Sequence, residues 1–260
     1  MTGPNFVSTV AIITIVLASL ITTVSPESAF PSAASTLADA RASSSASSTL
    51  NAHARGTSLN NARAQPLTSG CPLACACKWK SGKETTECVE KDLRAVPAGV
   101  AAGTQVLDLR GNPLGLLADN VFLERGITNL QRIFCSNCQL AEVEPLAFRR
   151  LTNLVELDLS ENVLREVPSD ALRLAKALMR LNLSGNPLRI VRARAFDKLK
   201  FVTNLYLDHC AIEAVEGEAF AGMDSLLELR LENNRLNYLM GVNLFPRSLH
   251  LIEVSFIIFL

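Results

Sequence analysis

The chain has no net charge and few groups suited to catalysis. Its 260 residues include 25 lysines and arginines and 25 aspartates and glutamates, giving a formal net charge of +0. No long-range field would therefore draw it to nucleic acid or to an anionic membrane surface. It has three histidines, and it contains no glycine-rich phosphate loop, paired-carboxylate site or metal-ligand cluster. We therefore expect no enzymatic activity, no cofactor and no metal site.

The sequence instead repeats one apolar frame. Asparagine or cysteine recurs at intervals of 26, 24, 24, 24 and 24 residues, with large apolar residues or cysteine at fixed offsets around it. We call the recurring residues the ladder residues: Asn112, Cys138, Asn162, Asn186, Cys210 and Asn234. The frame L-x-x-L-x-L-x-x-N/C-x-L is that of the leucine-rich repeat, present here six times. It predicts an α/β-type repeat solenoid, a horseshoe with parallel β-strands on its concave face.

A single repeat cannot bury its leucines alone, so the coils should stack into one continuous core. The ladder side chains should point inward, where an asparagine can both donate and accept hydrogen bonds. A second apolar series lies ten residues after each ladder position, and we interpret it as core spacers between coils. Its members are Phe122, Phe148, Leu172, Phe196, Phe220 and Leu244.

The N-terminal part of the chain differs from the repeats. Residues 6–24 form an uncharged apolar run, and no lysine or arginine precedes it. We interpret residues 1–25 as a secretory signal peptide; the alternative is a membrane anchor, because nineteen apolar residues could just span a bilayer. Residues 26–70 are rich in serine and alanine without a sustained apolar period, so we expect a disordered leader.

Four cysteines stand directly before the repeats, in residues 71–100: Cys71, Cys75, Cys77 and Cys88. The first coil of a solenoid needs an end cap, and a small segment with little core of its own is best held by disulfides. A zinc site is the weaker alternative, because a single residue separates Cys75 from Cys77. The spacing leaves three disulfide connectivities open. We therefore predict an N-terminal cap stapled by disulfides.

The remaining three cysteines are interpreted as buried structural thiols. Cys135 and Cys138 form a C-x-x-C sequence, but one holds a core leucine position and the other is a ladder residue. Cys210 follows Asp208 and His209, yet consecutive residues of a strand and turn point in different directions. These three side chains should not converge as a catalytic triad requires.

The cap also resembles a known family. The segment Cys-Lys-Trp-Lys-x-Gly-Lys at residues 77–83 looks like that of the Kekkon family of extracellular leucine-rich repeat proteins, as do parts of the repeats up to about residue 250. The resemblance implies disulfides Cys71–Cys77 and Cys75–Cys88. It also implies a cell-surface protein with a cysteine-rich C-terminal flank, an immunoglobulin domain and one membrane span. Such proteins act in growth-factor signalling, adhesion and neural development without enzymatic activity, so a growth-factor receptor or its ligand is an expected partner.

The chain departs from that plan after its six repeats, which occupy residues 101–248. Residues 249–260 hold a partial seventh strand, with Leu249, Ile252 and Val254 in the repeat frame, followed by an atypical apolar tail. We expect a chain truncated before the C-terminal flank, through an incomplete gene model or a short isoform, and therefore without the membrane span of a full-length relative. The last coil should be uncapped, and residues 256–260 should form an exposed apolar patch.

Function is expected on the concave surface. Its proposed partner-binding residues, which lie in the strands, are Phe134, Tyr206, Arg132, Arg180, Asp158 and Arg230. A solvated surface with two incidental aromatic residues is the alternative interpretation. Asn182 begins the glycosylation sequon Asn-Leu-Ser on the same face. We thus predict a secreted or cell-surface protein-binding module that modulates receptor signalling or adhesion; the alternative is a structural or adhesive protein of the extracellular matrix.

Overall fold

The computed structural model describes residues 9–16, 70–236, 238–239 and 245–258; for residues 9–16, 238–239 and 254–258 it describes the backbone alone. The rest of the predicted signal peptide and nearly all of the predicted leader lie outside these residues.

Short strands recur once or twice in every repeat. In chain order the elements are β1 (Thr9–Val16), β2 (Ala76–Lys80), β3 (Lys83–Glu87), β4 (Val106–Asp108), β5 (Leu116–Leu117), α1 (Val121–Glu124), β6 (Arg132–Phe134), β7 (Glu142–Val143), β8 (Glu156–Asp158), α2 (Ser169–Leu172), β9 (Arg180–Asn182), β10 (Ile190–Val191), β11 (Asn204–Tyr206), β12 (Ala214–Val215), β13 (Glu228–Leu236), β14 (Tyr238–Leu239) and β15 (Leu251–Ile258). Among the described residues the main sheet has ten strands in the order β1-β15-β13-β11-β9-β8-β6-β4-β3-β2.

The strands of successive repeats pair in parallel with equivalent leucines in register. Leu107 lies beside Ile133, and Ile133 lies beside Leu157. These central apolar residues are at most 1% exposed in every repeat. Burying one leucine stabilises the fold by about 1.5–3 kcal/mol, and each is buried only because a neighbouring coil covers it. The predicted leucine-rich repeat solenoid is confirmed.

The N-terminal cap is a β-hairpin joined to the first repeat. β2 and β3 are antiparallel, and β3 then pairs in parallel with β4. Disulfides join Cys71 to Cys77 and Cys75 to Cys88, the two pairs that the family resemblance implies. Cys88 is fully buried and holds the position of a core leucine, so the second disulfide is anchored in the first coil.

The ladder residues satisfy backbone groups inside the turns. Asn162 Nδ2 donates to the carbonyls of Cys135 and Leu159, and its Oδ1 accepts N–H bonds from Cys138 and Leu140, all at 2.8–3.0 Å. Each asparagine thus joins its own coil to the coil before it. A cysteine at the same position can donate only its S–H, as Cys138 does to the Leu109 carbonyl at 3.1 Å.

The core spacers stack along the convex side, and all those up to Phe220 are buried. Ring centroids lie 6.2 Å apart for Phe122 and Phe148, 5.8 Å for Phe196 and Phe220, and 5.9 Å for Phe220 and Phe245. Phe245, which stacks on Phe220, comes one residue after the expected spacer Leu244. Leu244 itself lies outside the described residues.

The convex side also carries two-residue strands, and their ladder is interrupted in the third repeat. β5 pairs with β7, and β10 pairs with β12 and β14, in two separate sheets. The Glu144 N–H donates to the Leu117 carbonyl, and the Glu216 N–H donates to the Val191 carbonyl, both at 2.9 Å. Pro168 holds the equivalent position in the third repeat and has no N–H to donate. The proline therefore cannot donate this bond to the second repeat, and the convex ladder is interrupted there.

β15 continues the main sheet after the sixth repeat, with Ile252 beside Leu229 and Val254 beside Leu231. For the uncleaved chain the expectation of an uncapped last coil is corrected, because β1 pairs antiparallel with the outer edge of β15. A bare edge would leave a row of N–H and C=O groups unpaired. β1 lies within the predicted signal peptide, so this pairing belongs to the uncleaved chain. The side chains of the predicted apolar patch, residues 256–260, lie outside the described residues.

Candidate functional site

The concave face presents a row of mostly polar side chains, one from each of the eight parallel strands of the main sheet. In register along the sheet, this central row consists of Glu87, Asp108, Phe134, Asp158, Asn182, Tyr206, Arg230 and Glu253. Most of these side chains are partly exposed, because alternate residues of a strand point away from the core. Asp108 is the exception to the expected outward series, since it is only 6% exposed beneath its neighbours.

The first aromatic residue of the row, Phe134, is half-buried beside a charged pair. The guanidinium of Arg110 lies 5.8 Å from the centre of its ring. Arg110 donates to both carboxylate oxygens of Asp108, through Nε at 2.8 Å and Nη2 at 2.6 Å. This bidentate bond raises the pKa of Arg110. The carboxylate therefore holds the guanidinium over one face of the ring, as in a cation–π pair.

The second aromatic residue, Tyr206, has the same kind of partner three strands away. Arg230 lies 5.2 Å from the ring centre, and its Nε donates to Glu228 at 2.8 Å. The Tyr206 hydroxyl donates to Glu228 at 3.4 Å. Burial, followed by the charge of Glu228, raises the pKa of Tyr206. With strands about 4.8 Å apart, the two aromatic residues are roughly 14 Å apart along the sheet.

Arg132 and Arg180 share one acidic partner between the two aromatic residues. Glu156 lies between them in the register and forms ion pairs at 3.2 Å with Arg132 and 3.5 Å with Arg180. Both arginines are more exposed than the glutamate. Exposed ion pairs contribute about 0–1 kcal/mol, so these arginines can exchange Glu156 for a partner's carboxylate at small cost.

The middle of the row is polar and internally hydrogen-bonded. Asp158 accepts from the backbone and hydroxyl of Ser160, at 3.0 and 2.6 Å. Asn182 Oδ1 accepts from the Ser184 N–H at 3.0 Å, and the buried Ser184 hydroxyl donates to Asp208 at 2.7 Å. The structure thus brings all six predicted partner-binding residues and the sequon asparagine onto one face.

Sequence reasoning missed four cations at the N-terminal end of this face. Arg110 and the hairpin lysines Lys78, Lys80 and Lys83 share the face of Arg132. The alternation in Lys-Trp-Lys indicates that Lys78 and Lys80 lie on one side of β2. Only the pairing of the hairpin with β4 shows that this side is the concave face.

The free thiols are buried, as the sequence predicted. Burial raises the pKa of Cys210 to about 12, and its S–H donates to the Leu183 carbonyl at 3.2 Å. A hydrogen bond between Cys135 and Cys138 raises the pKa of the first and lowers that of the second. His209, beside Cys210, is exposed and contacts Asn233, whereas Asp208 accepts from Ser184. The side chains of residues 208–210 therefore diverge.

Comparison with known proteins agrees with this architecture. Residues 128–188 match the family model described as Leucine rich repeat. This match supports the leucine-rich repeat fold that the structure shows. A stretch of 75 residues, 29% of the chain, is 37% identical to a mouse (Mus musculus) chondroadherin-like protein. That stretch spans only 10% of the length of the mouse protein.

Leucine-rich repeat proteins typically bind other proteins through the surface of the solenoid. In the described part of the chain, no helix is both long and apolar enough to cross a bilayer. The same residues contain no group of three or more side chains suited to hold a metal ion.

Proposed function

We propose that the chain is a non-enzymatic extracellular protein-binding module that modulates cell-surface receptor signalling or adhesion. The observation that carries the proposal is the pair of arginine–aromatic contacts on the concave face, Arg110 with Phe134 and Arg230 with Tyr206. Aromatic and arginine side chains dominate the energetics of many protein interfaces. Here the carboxylates beneath them hold them in place, so little conformational entropy is lost on binding.

Three features support the extracellular setting. The cap has two disulfides, which form and persist in oxidising compartments. Residues 1–25 have the composition of a secretory signal, and the cap resembles that of the Kekkon family. Growth-factor receptors or their ligands are therefore the first partners to test.

A structural or adhesive role in the extracellular matrix is the second candidate. One observation favours it, the 75-residue similarity to the mouse chondroadherin-like protein. Under this hypothesis the chain should be retained by matrix extracts rather than by cell-surface receptors.

The test is capture of biotinylated cell-surface proteins and of matrix extract by the immobilised chain. The double variant Phe134→Ala with Tyr206→Ala should capture at least tenfold less receptor than the wild-type chain. Phe201→Ala is the matched control, because Phe201 is 60% exposed but lies outside the concave strands. Equal capture by both variants would refute the concave site, and retention by matrix alone would favour the second candidate.

A further inference from the structure

The basic end of the concave face is built by the cap hairpin together with the first two repeats. Lys80 pairs with Lys83 in the antiparallel hairpin, and Lys78 pairs with Thr85. Thr85, Val106 and Arg132 then lie in register across β3, β4 and β6. Because side chains alternate along a strand, the three lysines point to the same side as Arg132, and Trp79 points to the other.

These residues surround a cleft of about 310 Å³. Its cationic walls are Lys80, Lys83, Arg110 and Arg132, and its apolar surface comes from Val106 and Phe134. Glu87 and Asp108 also line it, so the cleft combines a surplus of positive charge with an apolar floor.

The cations of this cleft are more exposed to solvent than the carboxylates with which they pair. The Arg110 side chain is 51% exposed, whereas that of Asp108 is 8% exposed. Glu87, 22% exposed, is shared by Lys78 at 2.6 Å and Lys80 at 3.2 Å. Incoming solvent or protein thus meets the positive groups first.

The surplus of positive charge is confined to this end of the face. Six cations stand against four carboxylates here, namely Lys78, Lys80, Lys83, Arg110, Arg132 and Arg180 against Glu87, Asp108, Glu156 and Asp158. At the other end the balance is reversed, with Arg230 against Asp208, Glu228, Glu232 and Glu253. The net charge of +0 therefore conceals two ends of opposite sign.

We propose that this basic cleft binds an extended acidic segment of a protein partner, one that carries an apolar side chain between its carboxylates. The carboxylates engage Lys80, Lys83 and Arg110, and the apolar side chain packs on Phe134. A sulfated polysaccharide would match the charge, but it would leave the apolar floor unused. The inference rests on the proposed function and adds the chemistry of the partner at one end of the same face.

The test uses the intact chain and a fluorescein-labelled peptide, Glu-Asp-Glu-Phe-Glu-Asp-Glu, followed by fluorescence anisotropy. The peptide should bind at about 50 mM NaCl and weaken several-fold at about 200 mM, where screening is stronger. A peptide with Gln and Asn in place of Glu and Asp, and one with Ala in place of Phe, should each bind at least tenfold more weakly. A heparin hexasaccharide should compete less well than the acidic peptide.

The double variant Lys80→Gln with Lys83→Gln should lower affinity for the acidic peptide at least tenfold. Glutamine keeps hydrogen-bonding capacity toward Gln131, which Lys83 contacts, and Lys78 still pairs with Glu87. The matched control is Arg189→Gln with Arg194→Gln, which removes two exposed cations paired to Glu213 and Glu218. Circular dichroism should show that both variants fold like the wild type.

Unchanged binding by the lysine variant, equal loss in the control, or preference for the hexasaccharide would overturn the inference. These outcomes are separable from failure of the proposed function. If partner proteins are captured in a manner that needs Phe134 and Tyr206 while the acidic peptide does not bind, the protein-binding role stands and the acidic-segment inference falls.

Discussion

Replacing Asn162 should weaken the stacking between the second and third repeats. In Asn162→Ala, four hydrogen bonds of 2.8–3.0 Å disappear, two to carbonyls and two from backbone N–H groups. Each contributes about 1 kcal/mol net, and buried groups left without a partner cost about 1–3 kcal/mol each. We therefore expect the free energy of unfolding to fall by about 4 kcal/mol or more, a large part of the usual 5–15 kcal/mol.

A graded series separates the roles of the donor and the acceptor. Asn162→Cys keeps one donor, as the native Cys138 does toward the Leu109 carbonyl, but it loses the side-chain acceptor. It should lose roughly 2–3 kcal/mol, between the wild type and alanine. Cys138→Ala removes the S–H bond to the Leu109 carbonyl, and the loss of that bond should cost about 1 kcal/mol.

Urea denaturation followed by circular dichroism gives these differences, with the midpoint interpreted at constant slope. A loss below about 1.5 kcal/mol for Asn162→Ala, or one no larger than that of Cys138→Ala, would refute the assignment of coil stacking to the amide.

Other expected outcomes concern the cysteines. Removing the Cys75–Cys88 disulfide by double alanine substitution should lower the urea midpoint more than removing Cys71–Cys77. The Cys75–Cys88 disulfide closes the longer loop and should therefore stabilise the fold by about 3 kcal/mol, against about 2 kcal/mol for the other, and Cys88 is fully buried. Equal midpoints for the two variants would contradict this. A thiol reagent should label none of the three free cysteines in the native chain and all three in guanidinium, since they are buried. Stability should also fall between pH 9 and about 12, because burial raises the pKa of Cys210 from 9.0 to about 12 and the folded state holds the neutral thiol. A Cys210→Ala variant should lose that part of the pH dependence.

Most of the fold was predictable because the core positions repeat at fixed offsets. The residues between them could be assigned to the concave face by strand alternation, which correctly placed Phe134 and Tyr206 there. Alternation alone could not show that Asp108 is covered, because its burial depends on Arg110 folding back over it. The interrupted convex ladder was readable in principle from Pro168, since a missing N–H is a property of the residue itself.

The basic cleft was less accessible to sequence reasoning. Its lysines belong to the cap, outside the repeat frame, so no offset from a ladder residue locates them. Their place depends on the pairing of β3 with β4 and on the Cys75–Cys88 disulfide, which joins the cap to the first coil. The strand pairing joins residues about twenty positions apart, and the disulfide joins residues 13 positions apart, so neither is visible in the local sequence pattern.

Glycosylation at Asn182 should divide the concave face unequally. Asn182 lies beside Tyr206 in the register, about 5 Å away, and two strands or about 10 Å from Phe134. A glycan on Asn182 would therefore cover the Tyr206 end first and leave the basic cleft more open. We predict that Asn182→Gln, made in a secretory host, removes one glycan by mass and increases partner contacts that depend on Tyr206, while acidic-peptide binding changes less than twofold. If acidic-peptide affinity and partner capture instead increase equally in this variant, the glycan covers both ends of the face.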